Sequence, residues 1–408
     1  MMTNIKEITV QNNEELSSNL ILKYLEKKKL IYIKNASNQC EDKLEPINFE
    51  PPAIILKSSG SSQKPKTCIH TIENLDDSAK YSGIWLQEQG LKLENCYIFN
   101  TLPLNHISGF MALWRSHKWQ CDYISISTEL LKKTKELLEK TISINNINEK
   151  TLITSLVPTQ LKRLLKETDG IKWLKLFDVI WVGGSSIPID TANQCRRAGI
   201  KLAPCYGSTE TAAMISCLKP IDFLKGNNTL GEPLKDVQLR INQKGLITIN
   251  TKRIGIEYVN PTNLKKFAND KGWWESSDLG QIIKINQQHF LNFLGRADNA
   301  FQSGGETVFP ELIKKRLEEI ISIKSLPIKD VFINKIRDEI WENRFEVLLS
   351  FNNKLKSTII DNSLQVLEKN YRNWPNHERP RKIVVLENKL SSSNVKASEM
   401  KNWKDTED

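Results

Sequence analysis

Four segments of the 408-residue chain carry side chains whose types and spacing suit a phosphorylated ligand. Ser58–Lys66, SSGSSQKPK, gathers four serines, a glycine and two lysines around one proline. Hydroxyl donors, close backbone approach and positive charge suit a polyphosphate, but they equally suit a flexible loop. The segment is not the GxxxxGK[ST] phosphate loop, because Gly60 precedes Lys64 by only four positions. Cys205–Met214, CYGSTETAAM, sets Tyr206, Gly207, Ser208, Thr209 and Glu210 after a strand-like run. Tyr206 offers a flat face to a base, Thr209 a donor to a phosphate and Glu210 an oxygen ligand to Mg²⁺. The other reading is a turn in which Ser208 or Thr209 caps a helix. In WVGGSS, Gly183, Gly184 and Ser185 allow close approach to a planar ligand or simply make a tight turn. In SSDLG, Asp278 suits ribose hydroxyls or a turn cap.

These segments follow elements that must hold them. Between residues 50 and 230, the strand-like runs AIILK, CYIFNTLPL, TLITSLV, FDVIWVGG and KLAPCYG alternate with helical patterns at TQLKRLLKE, around 78–90 and around 128–141. Strands separated by helices imply a helix-covered, mostly parallel α/β sheet, whose ligands bind at the carboxyl ends of the strands. Leu161, Leu164 and Leu165 have the spacing of core-facing helix positions. From 231 to 297 the pattern becomes hairpin-like, with VQLRINQKGLITIN turning at Gln-Lys-Gly and GQIIKINQQHFLNFLG at Gln287-Gln288. A small antiparallel sheet is expected there. A helix opening at Pro310, two strands, another helix and the strand KIVVLE then form a small α+β domain. The expected domains are 1–297 and 298–408.

Composition narrows the class. Hydrophobic residues at 39% and charged residues at 26% describe a globular chain rather than a disordered one. No apolar run approaches the ~20 residues of a membrane span, and MMTNIKEITVQNNEE has no signal-peptide pattern. Seven scattered cysteines without a CxxC pair argue against zinc or a disulfide framework and read as reduced thiols in a cytoplasm. The net charge of +10 is spread along the chain without arginine clusters interleaved with aromatics. That pattern points away from nucleic acid and toward a basic surface that welcomes anionic substrates.

Taken in order, the Ser/Gly/Lys loop, HxxG, GG, YGSTE, W-x(4)-D-L-G, LGRADN and SGGE-x(4)-E resemble the adenylate-forming superfamily of acyl-CoA synthetases, luciferases and adenylation domains. The resemblance runs from about residue 54 to the end. It implies a large domain binding ATP and a carboxylic acid, and a small C-terminal domain that swings between two poses. By position it implies that Ser58, Ser59, Gly60, Ser61, Ser62 and Lys64 grip the β- and γ-phosphates. Gly183, Gly184 and Ser185 then flank the adenine, Tyr206 and Gly207 lie against it, Thr209 meets the α-phosphate, and Glu210 holds Mg²⁺. Asp278 takes the ribose diol, Arg296 the ribose or phosphate, and Asp298 is the hinge. Gly304 and Gly305 line the pantetheine channel of coenzyme A, and Lys396 bridges acid and nucleotide.

The chain departs from the pattern in four places. Gln63 stands where a glycine usually precedes Lys64, and Ser277 stands where a glycine precedes the ribose-binding acid. The tail LENKLSSSNVKASEMKNW lacks the usual Gly-Lys turn, so another register would put Asn394 in place of Lys396. The region before SSGSSQ is about a hundred residues shorter than in most members of the superfamily.

LPLNHISGFMALWRS, TSLVPTQLKRLL and SGGETVFPELI resemble the o-succinylbenzoate–CoA ligase branch, which serves menaquinone and phylloquinone biosynthesis. That likeness places His106 and Ser108 beside the acyl group and Arg115 opposite a second substrate carboxylate. His106 equally suits a gating or packing imidazole, and Arg115 a surface position on a helix. The activity expected is an ATP- and Mg²⁺-dependent acid–thiol ligase acting on a small carboxylic acid and coenzyme A, with a homo-oligomer left open. The alternatives are a ligase for another aryl or medium-chain acid, or a nucleotide-binding protein that has lost catalysis.

Overall fold

The computed structural model of the protein describes residues 3–10, 14–35, 44–58, 65–351 and 355–386. The chain divides into two compact units, Met1–Ile187 with Thr191–Phe293, and Leu294–Asp408 with Pro188–Asp190.

The first unit begins with β1 (Ile5–Val10), α1 (Glu14–Glu26), β2 (Leu30–Asn35), β3 (Ala53–Lys57), β4 (Thr67–Thr71) and α2 (Ile72–Gln87). Next come β5 (Cys96–Asn100), α3 (Ile107–Trp119), β6 (Asp122–Ser125), α4 (Thr128–Lys132), α5 (Thr134–Ile142) and β7 (Thr151–Leu156). These lead to α6 (Pro158–Leu164), α7 (Thr168–Lys175), β8 (Val179–Val182), α8 (Ile189–Ala198), β9 (Leu202–Ser208) and β10 (Ala213–Cys217). After α9 (Pro220–Leu224) and β11 (Glu232–Pro233), six strands follow: β12 (Gln238–Ile241), β13 (Leu246–Asn250), β14 (Ile256–Asn260), β15 (Asn263–Lys266), β16 (Trp273–Ile285) and β17 (Gln288–Arg296).

These strands make three sheets. Parallel strands in the order β9-β8-β7-β5-β6, extended antiparallel by β10 and β11, form the sheet that carries the ligand-binding segments. The central strand β8, VIWV, is apolar throughout because both of its faces are covered. Ile180 and Val182 of β8 join the core on one side with Leu161, Leu164, Trp173 and Phe177. Val179 and Trp181 join the other with Trp85, Ile215, Ile247 and Leu291.

AIILK does not belong to this sheet. It is β3, in a second sheet ordered β1-β2-β3-β4-β14-β15, and pairs antiparallel with β4, Lys57 opposite Thr67. The serine-rich segment therefore closes a hairpin instead of leading into a helix. An antiparallel return needs only a short loop, whereas a parallel one needs a crossover of a dozen residues or more. The third sheet, β12-β13-β16-β17, is the small antiparallel one. Its last turn falls at Asn286-Gln287, both left-handed (φ 46° and 67°), one residue before the expected position.

Helix boundaries also differ from the sequence pattern. The helix expected at 78–90 starts at Ile72, where Thr71 and Asn74 form a reciprocal capping box. The one expected at 128–141 breaks into α4 and α5 at Lys133, whose φ −101° and ψ 73° leave the helical region.

In the second unit, β18 (Phe301–Ser303) and β19 (Glu306–Val308) form a hairpin. α10 (Pro310–Ile323), β20 (Ile328–Asp338), β21 (Glu342–Phe351), α11 (Ser357–Tyr371) and β22 (Ile383–Val385) follow. The sheet β20-β21-β22 carries the core residues Val331, Phe345 and Val347, packed with Leu317 and Leu367 from the two helices. Among the described residues no helix is long and apolar enough to cross a membrane.

Candidate active site

The densest part of the site is the turn between β9 and β10. The YGSTE segment does not open a helix: Thr209–Thr211 make a single 3₁₀ turn and the chain reverses into β10. Ala212 (φ 51°, ψ 51°) and Ala213 (φ 80°) are left-handed, which costs an L-residue ~1 kcal/mol or more each. Gly207 has no alternative, because a Cβ there would lie 2.1 Å from the Ala213 carbonyl oxygen. Tyr206 is buried and its phenol donates to Asp278 Oδ2 at 2.7 Å. Burial, with Asp278 beside it, pushes the Tyr206 pKa well up, so the phenol keeps its proton. The carboxyl end of β9 and the strand β16 thus bring together an aromatic face and the acid expected at the ribose. Glu210 shares the turn with Thr209, and among the described residues its carboxylate has no hydrogen bond or ion pair.

The hairpin bearing the serine-rich loop is fastened to this turn. His70 of β4 is fully buried, and its Nε2 donates to the Thr209 carbonyl at 2.6 Å. Burial pulls the His70 pKa down to about 4, so the imidazole is neutral near pH 7. At the mouth of the hairpin, Ser58 N donates to the Lys66 carbonyl and Lys66 N to Ser58 Oγ, both at 2.8 Å. Ser59, Gly60, Ser61, Ser62 and Lys64 lie outside the described residues, as does Lys396.

A cavity of about 480 Å³ opens at the carboxyl ends of the parallel strands. His106, Ser108 and Arg115 line it from α3 and its N-terminus, Gly183, Gly184 and Ser185 from the end of β8, and Gly207 and Thr209 from the end of β9. All eight of these expected site residues therefore share one space. Gly184 needs its missing side chain, since its φ is +85°. Gly109 lets α3 approach closely, because a Cβ there would meet the Pro103 carbonyl oxygen at 2.2 Å. His106 is the residue before α3, and burial lowers its pKa.

Arg115 is buried, at 3% exposure, and is not the surface residue that its helical position allowed. The reason is that α3 is covered on nearly all sides, with every residue from Gly109 to Ser116 buried. The Arg115 Nε donates to Ser82 Oγ at 2.9 Å, and the guanidinium carbon sits 4.9 Å from the Trp181 ring centre. Nη2 is buried without a hydrogen-bond partner, and no carboxylate among the described residues pairs with the group. Burial, with Arg253 as a like charge, pulls its pKa down to about 10, which leaves it charged at neutral pH. Cys205 also lines the cavity, but burial pushes its thiol up to about 12, so it is not a nucleophile.

Arg296, Asp298, Gly304 and Gly305 belong to the second unit. There Arg296 Nη2 bonds Asp298 Oδ2 at 2.7 Å. Gly304 and Gly305 turn between β18 and β19 with φ of 58° and 84°. Among the described residues no cluster of three or more His, Cys, Asp or Glu is placed to chelate a metal.

Sequence motifs did not single out His70, Ser82, Trp181 or Arg253. One signal for the serines was available. The buried stripe of α2 runs Leu75, Ser78, Ala79, Ser82, Gly83, Leu86, so hydroxyls occupy core-facing positions where apolar residues would pack.

Comparison with known proteins sets these residues in context. The family model described as AMP-binding enzyme matches residues 3–255. The 2-succinylbenzoate–CoA ligase of Enterococcus faecalis is 27% identical over 294 residues, covering 70% of this chain and 57% of the relative. The same-named enzyme of Escherichia coli is 26% identical over 348 residues, covering 85% and 68%. The chain thus spans about three fifths of the length of the curated relatives it matches. Among solved structures, E. coli MenE with a bound phenylether-linked analogue of OSB-AMS superposes with a TM-score of 0.67 at 19% identity, covering 99% of this chain and 88% of that one. Bacillus subtilis o-succinylbenzoate CoA synthetase in complex with the acyl-adenylate OSB-AMP gives 0.64 at 20% identity, covering 93% and 79%. These likenesses establish the shared fold.

Proposed function

The chain belongs to the AMP-binding enzyme family, and from that premise we propose that it is an acid–thiol ligase that joins a carboxylic acid to AMP and then to coenzyme A. In the first step a carboxylate oxygen attacks the α-phosphorus of ATP; a new P–O bond forms and the bond to pyrophosphate breaks. In the second, the thiol of coenzyme A attacks the acyl carbon and AMP departs. Two anions must meet in the first step, so the side chains that offset charge are the ones that matter. Thr209 donates to the reacting phosphoryl group, and the loop with Ser58, Ser59, Ser61, Ser62 and Lys64 takes the leaving pyrophosphate. The Glu210 carboxylate, unpaired among the described residues, suits a hydrated Mg²⁺ supplied with ATP, which neutralises phosphate charge when bound. Asp278 takes the ribose diol, for which the Tyr206 phenol is a stand-in hydrogen-bond donor. The same reading gives Arg296 to the ribose or phosphate, Asp298 to the hinge between domains 1–297 and 298–408, Gly304 and Gly305 to the pantetheine arm, and Lys396 to the acid–nucleotide bridge.

The acid is one that carries a second carboxylate, and o-succinylbenzoate is such an acid and the one that the relatives' names give. One observation carries this choice: Arg115 is a buried, charged guanidinium that lines the acyl cavity, and among the described residues its Nη2 has no hydrogen-bond partner and the group pairs with no carboxylate. A buried charge without a partner is costly, and a substrate carboxylate would supply that partner. Pyrophosphate release measured across an acid panel tests the proposal. Release with o-succinylbenzoate and little with benzoate or octanoate is expected. Equal release with the monoacids would leave a ligase of another acid, and ATP binding without release for every acid would leave a nucleotide-binding protein.

A further inference from the structure

The turn that presents Thr209 and Glu210 is held from behind by buried side chains, and all of them except Thr211 lie outside the ligand-binding motifs. Every carbonyl from Ala212 to Met214 accepts a hydrogen bond from a buried side chain. Ser78 Oγ donates to the Ala212 carbonyl at 2.5 Å, Thr211 Oγ1 to that of Ala213 at 2.8 Å, and Arg253 Nη1 to that of Met214 at 2.9 Å. The members are also joined to one another. Arg253 Nη1 donates to Ser78 Oγ at 3.3 Å, and Arg253 Nη2 to Asp236 Oδ1 at 3.1 Å. Thr251 Oγ1 donates to the other Asp236 oxygen at 2.9 Å. Arg253 and Ser78 are both wholly buried. The carbonyl of Glu210 is taken as well, by Gly255 N at 2.9 Å, two residues beyond Arg253.

Two of the carbonyls so held belong to Ala212 and Ala213, the left-handed alanines. Such a backbone persists only where its surroundings over-determine it. A glycine at either position would remove the strain, yet two hydroxyls hold the alanine carbonyls, and a buried ion pair backs one of those hydroxyls and takes the next carbonyl, that of Met214. We propose that Ser78 and Arg253, with Asp236 fixing the arginine, are positioning residues for adenylate formation: they clamp the 212–214 backbone so that Thr209 and Glu210 stay in register with the reacting phosphate. This rests on the ligase reading above for its chemistry, but not for its geometry. Ser78 neither lines the cavity nor reaches the expected ligands, so its influence passes through the turn.

The test uses the full-length protein with Ser78→Ala, alone and combined with Ala212→Gly. Three quantities are read: the single-turnover rate of adenylate formation at saturating MgATP and acid, the MgATP dissociation constant, and amide hydrogen exchange over 207–214. Ser78→Ala is expected to slow adenylate formation roughly ten- to hundredfold, the cost of a displacement near 1 Å at a reacting group, with MgATP affinity nearly unchanged. Exchange at 211–214 should rise together with that loss. Adding Ala212→Gly, which makes the left-handed conformation intrinsic, should recover most of both. A wild-type rate and exchange in Ser78→Ala would overturn the proposal, as would a loss that Ala212→Gly leaves untouched. Should Ser78→Ala not fold, Arg253→Lys keeps a charge for Asp236 while losing the guanidinium that spans Ser78 and Met214. It is read in the same way, and a wild-type rate overturns the proposal. If the wild-type protein forms no adenylate from any acid, the ligase reading fails, and the exchange measurement still decides the clamp.

Discussion

Replacing Arg115 by Met should make the protein more stable and the enzyme worse. Burial takes the Arg115 pKa from 12.5 to about 10, a penalty of ~3 kcal/mol on the charged form in the folded state. Met keeps much of the aliphatic volume, removes the charge, and forfeits the hydrogen bond to Ser82 and the stacking on Trp181, together ~1–2 kcal/mol. The balance is a gain of ~1–2 kcal/mol, or a rise in Tm of ~1–2 °C for a chain of this size. An acid that relies on the guanidinium for its second carboxylate loses ~2–4 kcal/mol of binding, which is about 30- to 1,000-fold in kcat/KM. A monocarboxylic acid, even if a poor substrate, should lose nothing. Thermal melting and acid-dependent pyrophosphate release with o-succinylbenzoate and benzoate measure both sides. A Met variant that melts well below the wild type, or that handles the dicarboxylic acid normally, would refute the assignment of Arg115 as an arginine waiting for a substrate carboxylate.

Three further outcomes follow from the same geometry. Ser82→Ala removes the acceptor of Arg115 Nε and should raise KM for the dicarboxylic acid by ~1 kcal/mol, about fivefold, with kcat near wild type and Ser82→Thr restoring it. An equal effect on monocarboxylic acids would mean only a packing defect. His70 takes up a proton near pH 6.5 when unfolded and at about 4 when folded, so between those values the unfolded chain binds more protons and stability rises with pH. Its contribution is complete above pH 6.5 and is lost as pH falls toward 4; urea titrations at pH 7 and 4.5 should differ by ~2–3 kcal/mol more in the wild type than in His70→Gln, and parallel losses would contradict it. Gly207→Ala places a methyl 2.1 Å from the Ala213 carbonyl, so the β9–β10 pairing must part; ~2 kcal/mol of stability and nearly all pyrophosphate release should go, read by melting and turnover.

Which features were legible in the sequence follows from the range of the interactions that determine them. β7, β8 and β9 stood out as short apolar runs because both faces of their sheet are covered, and the loops at their ends carry the glycines and hydroxyls. The hairpins of the third sheet were visible through alternation and turn residues. AIILK looked the same as those central strands, since a run of four apolar residues does not say which sheet it joins. The break at Lys133 had no proline or glycine to mark it. The side chains that hold the site were hidden for a different reason. His70 meets Thr209 across 139 residues, Ser78 meets Ala212 across 134, and Arg253 meets Ser78 across 175. No local spacing expresses such pairs. For Arg115 the likeness to a family gave a role, while helical position alone left it free to be a surface residue; only the packing of α3 decides that it is buried.

The most direct measurement is the structure of the protein with the acyl-adenylate of o-succinylbenzoate bound. The ligase account predicts the phosphate at the Thr209 hydroxyl, the ribose on Asp278, and the free carboxylate against Arg115 Nη2 in the cavity beside His106 and Ser108. A ligand that leaves Arg115 without a carboxylate, or that binds with its phosphate away from the 206–210 turn, would contradict it.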